Sequence, residues 1–139
     1  MIGIESIVYT AVRSAVLDLD ENIYVTGSYS PKIEKFPCVY FHLSDSSVIE
    51  GDIDSTKIDY AQRVVFQVEV YTDYKKNKKV AAKDIFNTVD TALTGLGFIR
   101  TFYSPTPNMD DTIQRIIGRY KGVVTYDETN SKYRVYQEY

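Results

Sequence analysis

The chain has 139 residues, of which 44% are hydrophobic and 25% charged, an ordinary globular composition long enough to bury a core without staples. A single cysteine, Cys38, and a single histidine, His42, exclude an internal disulfide framework and Cys- or His-based structural zinc sites. The net charge of −3 argues against a general nucleic-acid binder, and no apolar run reaches the ~18 residues of a membrane span. The start, Met1-Ile2-Gly3-Ile4-Glu5, lacks the basic region of a signal peptide. The expectation is one soluble domain over residues 1–139. Its 13 Tyr and 6 Phe, with no Trp, suit strands and half-buried contact surfaces, and part of that Tyr is expected at a protein–protein interface.

Ile4, Ile7, Val8, Ala11, Ala15 and Val16 recur at helical spacing and predict a first helix over 3–17, ended by Asp18-Leu19-Asp20-Glu21-Asn22. A short strand is expected over 23–26, and Gly27-Ser28-Tyr29-Ser30-Pro31 breaks it. After Pro37 comes a strand over 38–43, with Val39, Phe41 and Leu43 on one face and Cys38, Tyr40 and His42 on the other. Residues 44–60 are acidic and rich in Ser, Thr and Gly, and predict a long loop or protruding hairpin arm. The strongest strand covers 63–72: Val64, Phe66, Val68 and Val70 form its apolar face, Arg63, Gln67 and Glu69 the opposite one.

Asp73-Tyr74 and four lysines lead into a second helix with Ala82, Ile85, Phe86, Val89, Ala92, Leu93 and Leu96 on one stripe, stopped by Gly95 and Gly97. A strand over 98–103 is expected to break at Ser104-Pro105-Thr106-Pro107-Asn108. The next strand, 114–126, carries Ile116, Gly118, Tyr120, Gly122, Val124 and Tyr126 on one face and Arg115, Arg119 and Lys121 on the other. Its glycines predict a bulge or an element packed close above. A turn at 127–131 and a strand at 133–137 complete a hairpin. The order α-β-β-(arm)-β-α-β-β-β predicts an α+β fold in two layers, a mainly antiparallel sheet with two helices packed on one face.

Catalytic signatures are not found. Cys38 and His42 sit four residues apart on one strand, ~13 Å, beyond hydrogen-bond reach. There is no Gly-x-Ser-x-Gly elbow, phosphate-binding loop or dinucleotide fingerprint. Asp52-Ile53-Asp54-Ser55-Thr56 imitates a calcium loop, but Lys57 replaces the required Gly and Arg63 the required Glu. The expectation is therefore a non-enzyme without catalytic residues, metal or cofactor. Lys121-Gly122-Val123 imitates an RNA-recognition strand but puts Val123 where a stacking aromatic belongs.

Several segments together carry a resemblance. These are the N-terminal helix, the Phe36-Pro37 step into a strand, the Val-rich strand ending Val70-Tyr71-Thr72, and the helix ending Leu96-Gly97-Phe98. The turn Pro107-Asn108-Met109-Asp110-Asp111 and the strand segment Arg119-Tyr120-Lys121-Gly122-Val123 complete it. The chain resembles the tail terminator (tail completion) proteins of tailed bacteriophages and prophages. The resemblance implies an α+β subunit of a hexameric ring that caps the tail tube and joins the tail to the head connector or stopper protein. DNA would pass through the lumen without sequence readout, the protein would be made in the bacterial cytoplasm, and its place in the virion would be the tail–head junction. Another neck component, a head-completion or stopper protein, and a small nucleic-acid-binding or regulatory domain are the alternatives.

A ring contact is heterologous and needs two complementary surfaces on each subunit. The acidic residues Asp45, Glu50, Asp52, Asp54 and Asp59 supply one candidate surface. The basic faces Lys75, Lys76, Lys78 and Lys79, and Arg115, Arg119 and Lys121, supply the other.

Overall fold

The computed structural model describes residues 4–28, 35–48, 61–73, 78–107, 113–127 and 132–136. Helix α1 (Glu5–Leu19) is followed by β1 (Tyr24–Thr26), β2 (Cys38–Val48) and β3 (Gln62–Thr72). Helix α2 (Lys78–Leu96), β4 (Ile99–Pro107), β5 (Gln114–Asp127) and β6 (Lys132–Tyr136) complete the order. The six strands form one sheet in the order β1-β2-β3-β5-β4, with β6 also paired to β5. Every pairing is antiparallel except β1 with β2. Because β3 fills one edge of β5, β4 and β6 share the other in succession, at residues 114–121 and 123–127. This is the two-layer α+β architecture expected from the pattern, with both helices against one face of the sheet.

The helix-covered face is where alternation placed it. Val64, Phe66, Val68 and Val70 of β3 meet Val39 and Phe41 of β2 and Ile116, Tyr120 and Val124 of β5 in one buried cluster. Phe66 organises it, stacked on Phe41 at 4.9 Å and edge-on to Phe98 at 5.5 Å. The helix α2 stripe, Ala82, Ile85, Phe86, Val89 and Leu93, closes over it. The two β5 glycines mark close approach and not a bulge: a Cβ at Gly118 would stand 2.6 Å from the Phe86 ring, and one at Gly122 2.8 Å from Phe98. Tyr120 is fully buried, and its hydroxyl donates to Asp90 of α2 at 2.6 Å while Arg100 of β4 donates to the same oxygen at 3.2 Å. Helix α2 thus stops with its last turns fastened to both strands beneath it. Its end is a Schellman motif: Gly97 at φ 109° donates to Thr94, and Phe98 to Leu93, with Leu93 and Phe98 both buried.

Four expectations are corrected. The α1 seam is Ile4, Val8, Val12 and Val16, at a strict four-residue step, whereas Ile7 is 46% exposed. The helix lies on a narrow strip beside α2, so the wider stripe is not needed. Residues 44–48, expected as part of the arm, belong to β2: a bulge between Leu43 and Asp45 restores the register, and β2 runs on along β3 to Val48. Polar side chains fit there because one face of this strand pair is open. The rest of the arm, 49–60, lies outside the described residues. Pro105 and Pro107 do not end β4, which continues to Pro107 as an outer strand, where a missing N–H can face away from the ladder. The expected start at Phe98 also moves, because Phe98 serves the helix stop and β4 begins at Ile99.

Candidate interface on the open face of the sheet

Among the described residues no helix packs on the opposite face of the sheet, and its side chains form rows defined by the register. One row runs Cys38, Tyr71, Arg115 across β2, β3 and β5; the next runs Tyr40, Glu69, Ile117, Ser104; the third runs His42, Gln67, Arg119, Phe102. A fourth row runs Asp45, Val65, Lys121, Ile99, and a fifth Ser47, Arg63, Val123, with Tyr136 of β6. Adjacent rungs lie ~4.8 Å apart, so neighbours within a row touch and diagonal neighbours are within reach of long side chains.

Glu69 is the anchor of this face, only 6% exposed in a strand otherwise rich in valine. One of its oxygens accepts from the Tyr71 hydroxyl at 3.1 Å and from Arg115 Nε at 3.1 Å, and also from Arg115 Nη2. The guanidinium lies 5.7 Å from the Tyr71 ring centre. Burial, and then the Glu69 charge, push the Tyr71 hydroxyl up to about 12. Burial opposes the Arg115 charge, but the hydrogen bond and charge of Glu69, with Tyr71 alongside, hold its pKa above the ordinary value. Cys38, fully buried in the neighbouring position, is pushed up to about 11 by burial and then by Glu69. The thiol therefore stays protonated at neutral pH and is a poor nucleophile. Cys38 and His42 stand on the same face of β2, four residues apart, as alternation predicts. The buried Nδ1 of His42 has no hydrogen-bond partner among the described residues, and its ring packs 4.7 Å from Tyr40.

Each sequence-predicted interface residue can now be placed. Arg115, Arg119 and Lys121 share the open face as expected, but they differ in state. Arg115 is neutralised inside the chain by Glu69. Arg119 donates to the uncharged Gln67 at 3.0 Å and lies 4.8 Å over the Phe102 ring, keeping its full charge. Asp45 is exposed on this same face, in the row of Lys121 and two strands away from it. Lys78 and Lys79 open helix α2. Glu50, Asp52, Asp54, Asp59, Lys75 and Lys76 lie outside the described residues. Tyr71, on the side of its strand away from the core, finds a partner within the chain in Glu69.

Arg63, Lys132 and Arg134 join the cations of this face by register, as do the half-exposed Phe102 and Tyr136. Alternation along β3 sets Arg63, Gln67 and Glu69 on one face, but which residues of β4 and β6 share that face follows only from the register. The surface combines Arg and aromatic side chains around an apolar middle of Val65, Ile117 and Val123, the chemistry of a protein contact. Among the described residues no group of three His, Cys, Asp or Glu side chains could hold a metal ion, and no helix is long and apolar enough to cross a membrane.

No protein-family model matches the sequence, and no curated protein matches it. Among solved structures, one chain of "Virion of native gene transfer agent (GTA) particle" superposes with a TM-score of 0.58 at 18% identity. The match covers 85% of this chain and 91% of that one. At this identity the likeness is one of fold.

Proposed function

We propose that this protein is a structural component of a phage or phage-derived particle, and within it a tail terminator. Its subunits form a ring, expected to be a hexamer, that caps the tail tube and joins the tail to the head connector or stopper protein, with DNA passing through the lumen without sequence readout. The observation that carries the reading is the nearly end-to-end fold likeness to a chain of a virion, 85% of one and 91% of the other. The sequence segments from Phe36-Pro37 to Arg119-Tyr120-Lys121-Gly122-Val123 point the same way. A subunit that works by contact needs surface and not catalytic groups, and the open sheet face offers one.

In this reading the protein has no active site and no cofactor. The acidic segment of one subunit, Asp45 with Glu50, Asp52, Asp54 and Asp59, reaches cations of its neighbour. Arg115 is already held by Glu69, which leaves Arg119, Lys121 and Lys75, Lys76, Lys78 and Lys79 as its targets. Since residues 46–48 pair with β3, the test of this contact deletes 49–60 only. Loss of the oligomer in native mass spectrometry is expected, and an unchanged oligomer removes the arm from the contact.

Negative-stain imaging of the purified protein, alone and mixed with tail tubes, tests the function. Rings seated on tube ends are expected; a monomer that ignores tubes overturns the reading. Rings that bind head connectors but not tubes favour a head-completion or stopper protein. The cations Arg63, Arg119, Lys121, Lys132 and Arg134 on one open face give a specific reason to keep a nucleic-acid-binding domain as second reading. Salt-dependent DNA or RNA binding by a monomer would favour it.

A further inference from the structure

The two side edges of the sheet are unlike each other. At the β4 edge, backbone pairing with another chain is obstructed: the register slips between Arg100 and Phe102, and Pro105 and Pro107 follow. What that edge presents instead is a side chain. Phe102 is 40% exposed and among the described residues makes no ring contact with the core; the Arg119 guanidinium lies over its face. Arg119 meets no carboxylate among the described residues, so the pair is an apolar ring carrying an uncompensated positive charge.

On the other side of the molecule, toward β1 and β2, lies a cavity of about 430 Å³ between the start of α1 and the sheet. Its walls include Tyr9, Gly27, Phe41, Leu43 and Phe66, and Glu5 stands at its edge. Tyr9 is fixed there by donating to the Val25 carbonyl at 3.2 Å, and Phe41 and Phe66 are stacked, so the apolar lining is preformed. Glu5 is exposed and has no cationic partner among the described residues.

We infer that Phe102 of one copy inserts into this cavity of the next, with Arg119 meeting Glu5. Three features support a second copy as the occupant. The volume exceeds what one aromatic ring needs and lies within the ~300–1,000 Å³ of pockets that hold organic groups. The charges that flank ring and cavity are opposite, and each is unpaired among the described residues. Ring and cavity lie toward opposite edges of the sheet, since β1 and β4 end the strand order, so the contact is heterologous and propagates head to tail, as a ring requires. The inference rests on the ring reading and adds to the acidic-segment contact a second one, built by an aromatic side chain.

The test is native mass spectrometry and light scattering on the full chain. Ser6, exposed at the cavity, gives a plugging variant, Ser6→Trp, that leaves the core untouched. Ser6→Trp and Phe102→Ala are each expected to weaken association at least ~10-fold, the scale of a central aromatic contact. Glu5→Arg and Arg119→Glu are each expected to dissociate the ring, and the double variant to restore it. Circular dichroism confirms that each variant is folded. Rings that survive all four single changes overturn this contact while leaving the terminator reading intact. Failure of the charge-reversed pair to restore rings overturns the Glu5–Arg119 pairing. A wild-type chain that stays monomeric with and without tail tubes overturns the terminator reading and this contact with it.

Discussion

The two faces of the sheet are built from the same strands and solve opposite problems. On the helix-covered face the limiting quantity is space: Phe86 and Phe98 occupy the volume that side chains at Gly118 and Gly122 would need. On the open face the limiting quantity is charge: Glu69 is buried and is tolerated because Arg115 and Tyr71 both donate to it. A carboxylate this deep costs several kcal/mol to desolvate unless paired, so this pair fixes the alignment of β3 with β5 more than it adds stability. The covered face therefore specifies the fold, and the open face is anchored by the Glu69–Arg115 ion pair.

The sharpest way to break that contrast is at adjacent positions of β5. Gly118→Val drives a side chain into the Phe86 ring and is expected to cost about 3 kcal/mol, whereas Ile117→Val, one residue away on the open face, costs about 0.5 kcal/mol. Urea denaturation of both variants checks the difference. Glu69→Ala follows, at about 2 kcal/mol, because it strands Arg115, whose side chain is 31% exposed, beside Tyr71. Removing Arg115 as well should recover part of that loss in a double-mutant cycle.

On the covered face, Tyr120→Phe deletes a hydrogen bond to Asp90 and should cost about 1 kcal/mol, read from the same denaturation curves. The pH response comes from both faces: on the covered face, burial and then the hydrogen bond to Asp90 hold the Tyr120 hydroxyl well above the ordinary tyrosine range. Cys38 rises from 9.0 to about 11 and Tyr71 from 10.0 to about 12. For a raised pKa the folded state holds its proton longer than the unfolded one. Stability is thus complete below pH 9 and falls as pH climbs through 11. Melting temperature should drop between pH 9 and 11, less steeply in Cys38→Ala. The smallest stability effect is expected for Arg119→Ala, under about 0.5 kcal/mol, since its partners are exposed or uncharged. Its effect on association should be large, which separates the assembly role from folding.

Much of the covered face was legible in the sequence. Val64, Phe66, Val68 and Val70 alternate without exception, and the α2 stripe keeps its period from Ala82 to Leu93, whereas Leu96, expected on it, is exposed where the helix ends. The glycines of β5 announced a close neighbour without naming Phe86 or Phe98. Helix α1 was read too broadly because Ile7 and Val8 look alike in composition, and only the position of α2 decides which of them is covered. The prolines of β4 read as a stop because a lone sequence does not reveal which strand ends the sheet. The basic candidates Arg115, Arg119 and Lys121 were found on one face, yet their different states were hidden in residues of other strands.

The scarcity of Cys and His, the period of each strand and the two one-sided helices follow from the sequence by itself. They set the α+β class, the buried faces and the absence of a Cys–His pair within reach, because each depends on residues near one another along the chain. Strand order was left to the tertiary structure: it brought β5 between β3 and β4, and with it Arg115 to Glu69 and Arg119 to Phe102. Those contacts join residues 46 and 17 positions apart, and no local period encodes such a pairing. Register and neighbour are settled only when the core closes and each strand has one place that buries its apolar side.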